Sequence, residues 1–128
     1  MMLVDTDVLI WYLKGNLNAR SEIEALAEFY ISVVSYIELV QGMRNKNELT
    51  CLRRALRTWN AKIVYITEDI SAKAMFYVEQ YYLSHSLQLA DALIAATAVA
   101  NGFDVLTANT KHYRFLKDIP LKEFKPIN

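Results

Sequence analysis

The chain has 128 residues, 54% hydrophobic and 22% charged, a composition that excludes a disordered polymer and suits one domain burying roughly two thirds of its extended surface. Lys and Arg total 14, as do Asp and Glu, so the protein is no polycation that coats nucleic acid indiscriminately, and any attraction to phosphate has to be local. The lone Cys51 has no internal disulfide partner, Asp5 and Asp7 interrupt the first apolar run, and the longest Ala-rich run carries Asp91, so a soluble protein of the reducing cytoplasm is expected, with no membrane segment.

Short apolar runs alternate with longer helical patterns along the chain, which predicts an α/β fold with a parallel sheet. Strands are expected at residues 2–4, 30–33, 63–66 and 105–107, with a weaker fifth at 121–124, and helices fill the gaps. In the first stretch, "LVDTDVLI", Asp5 falls at the carboxyl end of a strand, where parallel sheets build their sites. Asp7 directly precedes the apolar residues of a helix starting near Val8 and reads as its cap. One cap suffices, so Asp5 is left without a structural task.

In "SVVSYIELVQG", Glu38 follows the second strand. Ser35 with Glu38 three places on fits a capping box, and a functional role for Glu38 stands beside that reading. Further on, "LTCLRRALRTW" sets Leu49, Leu52, Leu56 and Trp59 on one helical face and Arg53, Arg54 and Arg57 off it. Arg44, Lys46 and Lys62 extend this basic stretch, opposed only by Glu48. It is either a guide for a nucleic-acid backbone or a solvated helix face.

The helix "EDISAKAMFYVEQYYLSH" spaces Ile70, Ala74, Tyr77 and Tyr81 as a buried stripe, so its tyrosines read as core and rim. The next helix begins near Leu89 and is closed by Gly102 as a left-handed cap. Within it Asp91 is the sole formally charged residue between Glu79 and Asp104, with no Lys or Arg near in sequence. A first-turn aspartate gains roughly 0.3 to 1 kcal/mol from the helix dipole, which is small beside the several kcal/mol that an unpaired buried ion costs. A paired or coordinating role is therefore expected for Asp91.

The last stretch, "VLTANTKHYRF", places Thr107 and Asn109 at a strand end, with Lys111, His112 and Arg114 beyond. Asn109 also fits an ordinary turn. His112 lacks a second His or Cys at zinc-ligand spacing and is expected to face solvent or phosphate. Asp5, Glu38, Asp91 and Asn109 thus fall where one sheet brings them to one edge. Three gathered carboxylates repel, a divalent cation relieves that, and an all-oxygen set selects Mg²⁺ or Mn²⁺ over Zn²⁺.

Taken in order, "LVDTDVLI", "SVVSYIELVQG", "LADALIAATA" and "VLTANTKHY" resemble the PIN domains, and more narrowly the VapC-type ribonuclease toxins of prokaryotic toxin–antitoxin pairs. The resemblance covers nearly the whole chain and implies a single domain over residues 1–128, a three-layer fold whose central parallel sheet of about five strands is flanked by helices. It also implies a Mg²⁺-dependent RNA endonuclease, a homodimer, a small antitoxin as partner and a larger toxin–antitoxin assembly. The family's first acid falls on Asp5, its helical glutamate on Glu38 and its second essential aspartate on Asp91. Its fourth acidic position falls on Asn109, an amide here, which leaves open whether one metal or two are held.

On this reading Asp5 and Asp91 hold Mg²⁺, Mn²⁺ able to substitute, with Glu38 as a direct or water-mediated ligand and a metal-activated water attacking the RNA phosphodiester. Asn109, Thr107 and Thr6 would orient water or phosphate, and Arg44, Lys46, Arg53, Arg54, Arg57 and Lys111 would meet the RNA backbone. Two rivals stand beside it. An Asp-x-Asp phosphatase, resembling the haloacid dehalogenase motif, would use Asp5 as nucleophile and Asp7 as acid but leaves Glu38 and Asp91 unexplained. A non-catalytic PIN-like module binding RNA or protein has the Asn109 amide as its only support.

Overall fold

The computed structural model describes residues 1–126. Five strands, β1 (Met2–Val4), β2 (Phe29–Ser32), β3 (Ala61–Val64), β4 (Asp104–Thr107) and β5 (Leu121–Glu123), form one parallel sheet in the order β3-β2-β1-β4-β5. Six helices flank it: α1 (Thr6–Leu13), α2 (Leu17–Glu24), α3 (Val33–Gln41), α4 (Lys46–Thr58), α5 (Glu68–His85) and α6 (Leu89–Asn101). A short 3-10 turn spans Thr110–His112. The expected α/β class and the parallel sheet of five strands are both present.

The strands alternate their side chains between two cores, which makes the fold three-layered. Leu3, Tyr30 and Val105 pack toward α5 and α6, with Ile70, Tyr77, Ile94 and Phe103. Met2, Val4, Phe29, Ile31 and Leu106 pack on the other side, toward Leu9, Ile23, Leu39, Leu52 and Trp59. Leu3 and Val4 are fully buried on opposite faces, each burial stabilising by roughly 1.5 to 3 kcal/mol. On α5, Tyr77 is buried and Tyr81 half-buried, the division its spacing predicts.

Several ends differ from the sequence reading, and each has a local cause. β2 stops at Ser32 because Ser32 caps α3, its side chain accepting from Val34 N at 3.1 Å. β3 runs from Ala61, two residues earlier than expected, because Asn60 turns the chain at φ 55° and Thr67 is taken up as the cap of α5. β5 ends at Glu123, although Phe124 is buried and its N donates to Thr107 O at 2.8 Å. Gly102 closes α6 at φ 68°, the left-handed conformation expected of it. No described helix is long and apolar enough to cross a membrane.

Candidate active site

β1 and β4 are parallel neighbours, yet the chain leaves β1 toward β2 and leaves β4 toward β5, so the order in which strands are added reverses between them. A crevice opens at the carboxyl ends of strands at such a point. Asp5 stands there, its N donating to Leu106 O at 2.9 Å. Because α1 begins at Thr6, directly after the strand, Asp5 and not Asp7 is its cap, with Oδ1 accepting from Thr6 N at 2.8 Å. Asp5 Oδ2 accepts from Thr107 Oγ1 at 2.9 Å and from the Tyr113 hydroxyl at 3.0 Å. Only 6% of Asp5 is exposed. Burial, and then the charge of Asp7, push its carboxyl up to about 7, against the opposing pull of the hydrogen bonds from Thr107, Thr6 and Tyr113.

Asp7 belongs to the crevice rather than to the cap. Its Oδ2 accepts from Asn109 Nδ2 at 2.9 Å and from Ala108 N at 3.1 Å. Its Oδ1 is buried and has no hydrogen-bond partner among the described residues. Burial raises its pKa as well. Thr107 is fully buried; its proton goes to Asp5 and its Oγ1 accepts from Asn109 N at 3.0 Å, so it orients a carboxylate and a backbone turn.

Glu38 arrives from α3. With Ser32 as cap, Ser35 lies inside the first turn and is buried, so the Ser35–Glu38 capping box does not form. Thr6 Oγ1 lies 2.8 Å from Ser35 Oγ and donates to Glu38 Oε1 at 2.7 Å. The threonine hydroxyl has one proton, spent on Glu38, which leaves Ser35 to donate to Thr6. Thr6, expected to orient water or phosphate, lines the cleft although it is largely buried, and it ties α1 to α3.

Asp91 sits in the first turn of α6 with its side chain 28% exposed, so its burial is less complete than the apolar sequence around it suggests. Its partner comes from far along the chain: Oδ2 lies 3.2 Å from His112 Nδ1, and Oδ1 accepts from the Tyr113 hydroxyl at 3.3 Å. His112 is 46% exposed, facing solvent as expected, and it also stands against Asp91. Tyr113, which sequence reasoning passed over, is fully buried with its phenol between the two aspartates, and burial with those charges raises its pKa well above 10.

A cleft of about 220 Å³ is lined by Asp5, Glu38, Asp91 and Asn109 together with Asp7 and His112. No lysine or arginine lines it among the described residues. Nor do three acidic, imidazole or thiol groups there converge tightly enough to form a finished ligand cluster. The donor chemistry nevertheless fits a hard cation: four carboxylates share the cleft, the Asp7 Oδ1 is orphaned, and the ionisation of Asp5 is opposed. The phosphatase chemistry fits less well, since it uses Asp5 and Asp7 alone and leaves Glu38 and Asp91, which share the cleft, without a task.

A groove of about 480 Å³ adjoins the cleft, sharing Ile10 and Glu38 with it and continuing along Leu39, Met43, Arg44 and Leu52. Arg44 is engaged by Glu48 through Nη2 at 2.8 Å and Nε at 3.2 Å, and Lys62 pairs with Glu28 at 3.5 Å. Lys46, Arg53, Arg54 and Arg57 are exposed on α4 but do not line either space. Lys111 is exposed in the turn that carries His112.

The PIN domain family model matches residues 2–117. The chain is 35% identical over 125 residues to ribonuclease VapC10 of Mycobacterium tuberculosis, covering 93% of this chain and 90% of that one. It is 30% identical over 122 residues to ribonuclease VapC1 of Methanocaldococcus jannaschii, covering 94% and 85%. Among solved structures, a toxin–antitoxin complex from Klebsiella pneumoniae matches with a TM-score of 0.83 at 26% identity, over 99% of this chain and 100% of that one. DNA-bound VapBC from Salmonella typhimurium matches in fold, with a TM-score of 0.84 at 15% identity over 97% and 98%.

Proposed function

The chain belongs to the PIN domain family, and from that premise we propose that it is a Mg²⁺-dependent RNA endonuclease acting as the toxin of a toxin–antitoxin pair. The observation that carries the metal-dependent part is the cleft at the sheet's point of reversal, where Asp5, Asp7, Glu38 and Asp91 line one space and Asp7 Oδ1 has no donor among the described residues. Asp5 and Asp91 would hold Mg²⁺ or Mn²⁺, with Glu38 as a direct or water-mediated ligand. When bound there, the ion supplies an activated water and stabilises charge on the scissile phosphate.

The chain's own groups do the positioning. Thr107 anchors Asp5 by hydrogen bond, and Thr6 holds Glu38 toward the cleft. Asn109 adds a neutral amide beside Asp7, which avoids the repulsion a fifth carboxylate would create there and favours a single ion. Lys111, exposed in the turn that carries His112, and the exposed Lys46, Arg53, Arg54 and Arg57 of α4 offer cations to an RNA backbone, where local attraction replaces net charge.

The antitoxin reading is supported by the apolar groove along Ile10, Leu39, Met43 and Leu52, which runs into the acidic cleft. An arginine on the partner, reaching from that groove, would form charge-assisted hydrogen bonds with the carboxylates. The exposed Met75, Phe76, Tyr82 and Leu83 of α5 support the homodimer, and the reading places the protein in the cytoplasm. RNA cleavage by purified protein is expected in Mg²⁺ or Mn²⁺ and lost in chelator. Robust cleavage in chelator, by protein free of contaminating nuclease and unaffected by Asp5→Asn, overturns the metal-dependent reading.

A further inference from the structure

We propose that Tyr113 is a positioning residue of the acidic cleft: its buried hydroxyl clasps Asp5 and Asp91 at a set separation and leaves one oxygen of Asp5 to receive a divalent cation. The inference rests on the metal-dependent reading above and names a residue that reading does not need.

A buried phenolic hydroxyl is costly unless it finds partners. The single proton of the Tyr113 hydroxyl is shared in a three-centre bond between two carboxylates from separate elements, Asp5 Oδ2 at 3.0 Å after β1 and Asp91 Oδ1 at 3.3 Å on α6. The ring is fixed independently of them. Tyr113 N donates to Thr110 O at 3.0 Å, which closes the 3-10 turn, and the side chain packs in the apolar cluster that holds Leu3, Ala95, Val105 and Leu116. A ring locked in this way cannot follow the carboxylates, so the carboxylates are held to the ring.

Counting lone pairs shows what the clasp leaves available. Asp5 Oδ2 accepts two hydrogen bonds, from Thr107 and Tyr113, and its in-plane capacity is filled. Asp5 Oδ1 accepts one, from Thr6 N, and keeps a free lone pair. The chain therefore presents Asp5 to a cation through Oδ1, with Oδ2 as the anchor. Without the hydroxyl, Oδ2 loses a donor and the two like charges lose the group that spans them. Groups that orient metal ligands in this way typically change metal affinity by about tenfold to a hundredfold when removed.

Tyr113→Phe keeps the ring and removes only the hydroxyl. Mn²⁺ binding, followed by calorimetry or by the spin resonance of free Mn²⁺ with no RNA present, is expected to weaken by about tenfold or more in the variant. The Mg²⁺ concentration giving half-maximal cleavage should rise in parallel, while the rate at saturating Mg²⁺ falls much less. A hydroxyl that merely satisfies itself in the core predicts a lower melting temperature and unchanged Mn²⁺ affinity, and affinity within about twofold of wild type overturns the proposal. Wild type that takes up no Mn²⁺ overturns the metal-dependent reading and the proposal together, whereas binding by wild type and variant alike overturns the proposal alone. For a variant that fails to fold, the wild type supplies the measurement: the Tyr113 ring-carbon resonance beside the hydroxyl should shift on Mg²⁺ addition, and a resonance that stays in place overturns the clasp.

Discussion

Asn109 Nδ2 donates to Asp7 Oδ2 at 2.9 Å, so the side chain that stands where the family carries a fourth acid is a hydrogen-bond donor to an acid. Asn109→Asp would exchange that bond for a like charge beside Asp7. Losing a donor to a partly buried carboxylate costs about 1 to 3 kcal/mol, and a cation relieves the repulsion that replaces it. The variant is therefore expected to melt lower than wild type in chelator and to gain more from Mg²⁺. Thermal melts in the two buffers check this, and an equal drop in both would mean that position 109 does not face the ion.

A second expectation concerns pH. The Asp5 carboxyl titrates at about 7 in the folded chain, raised from the ordinary 3.8 by burial and then by Asp7. Between those values the folded state binds a proton that the unfolded state has released. The stability this contributes is fully present below about pH 3.8 and is lost as pH rises through about 7. Asp7, also raised by burial, acts in the same direction. Chelated protein should thus lose stability from about pH 4 to about pH 7, Asp5→Asn should flatten that slope, and saturating Mg²⁺ should reduce it. A melting temperature that climbs over this range in chelator contradicts the account.

Thr6→Val tests the link between α1 and α3. The hydroxyl donates to Glu38 Oε1 at 2.7 Å and takes the approach of Ser35 Oγ at 2.8 Å, so its loss frees Glu38 and leaves a buried serine without its partner. Stability is expected to fall by about 1 kcal/mol or somewhat more, and cleavage should fall with it as Glu38 loses its orientation. Thr6→Ser restores the hydroxyl and should recover both. Cleavage unchanged in Thr6→Val would remove Glu38 orientation from the role of Thr6.

What the sequence disclosed, and what it hid, divides along the range of the contacts. β1 and β4 were legible because a short strand apolar on both faces, such as Leu3–Val4, has few other uses. Asp5 and Asp91 were legible by default, one surplus to the cap and one isolated among apolar residues. The cap itself was misplaced by two residues, and the same small slip made Ser35 a capping residue when Ser32 holds that place. That slip moved Asp7 out of the cleft it lines. Tyr113 was hidden for a different reason: its apolar ring belongs to the core pattern, and its hydroxyl partners lie 108 and 22 residues away. The pairing of His112 with Asp91 depends in the same way on the 3-10 turn folding back over α6.

Asp91→Asn separates a role in the site from a role in the helix. The side chain is partly exposed, meets His112 at 3.2 Å and accepts from Tyr113 at 3.3 Å, and an amide oxygen can still accept from the phenol. The like charge facing Asp5 across that phenol disappears with the substitution. In chelator the variant should therefore be about as stable as wild type or more so, yet inactive, and it should gain less thermal stability from Mg²⁺, since a ligand stabilises only through its binding to the folded state. If Asp91 served chiefly the α6 dipole, its loss would cost roughly 0.3 to 1 kcal/mol whether or not the ion is present, with cleavage intact. Melts of both proteins in chelator and in Mg²⁺, read beside RNA cleavage, distinguish the two because they differ in sign in chelator and in the size of the Mg²⁺ response.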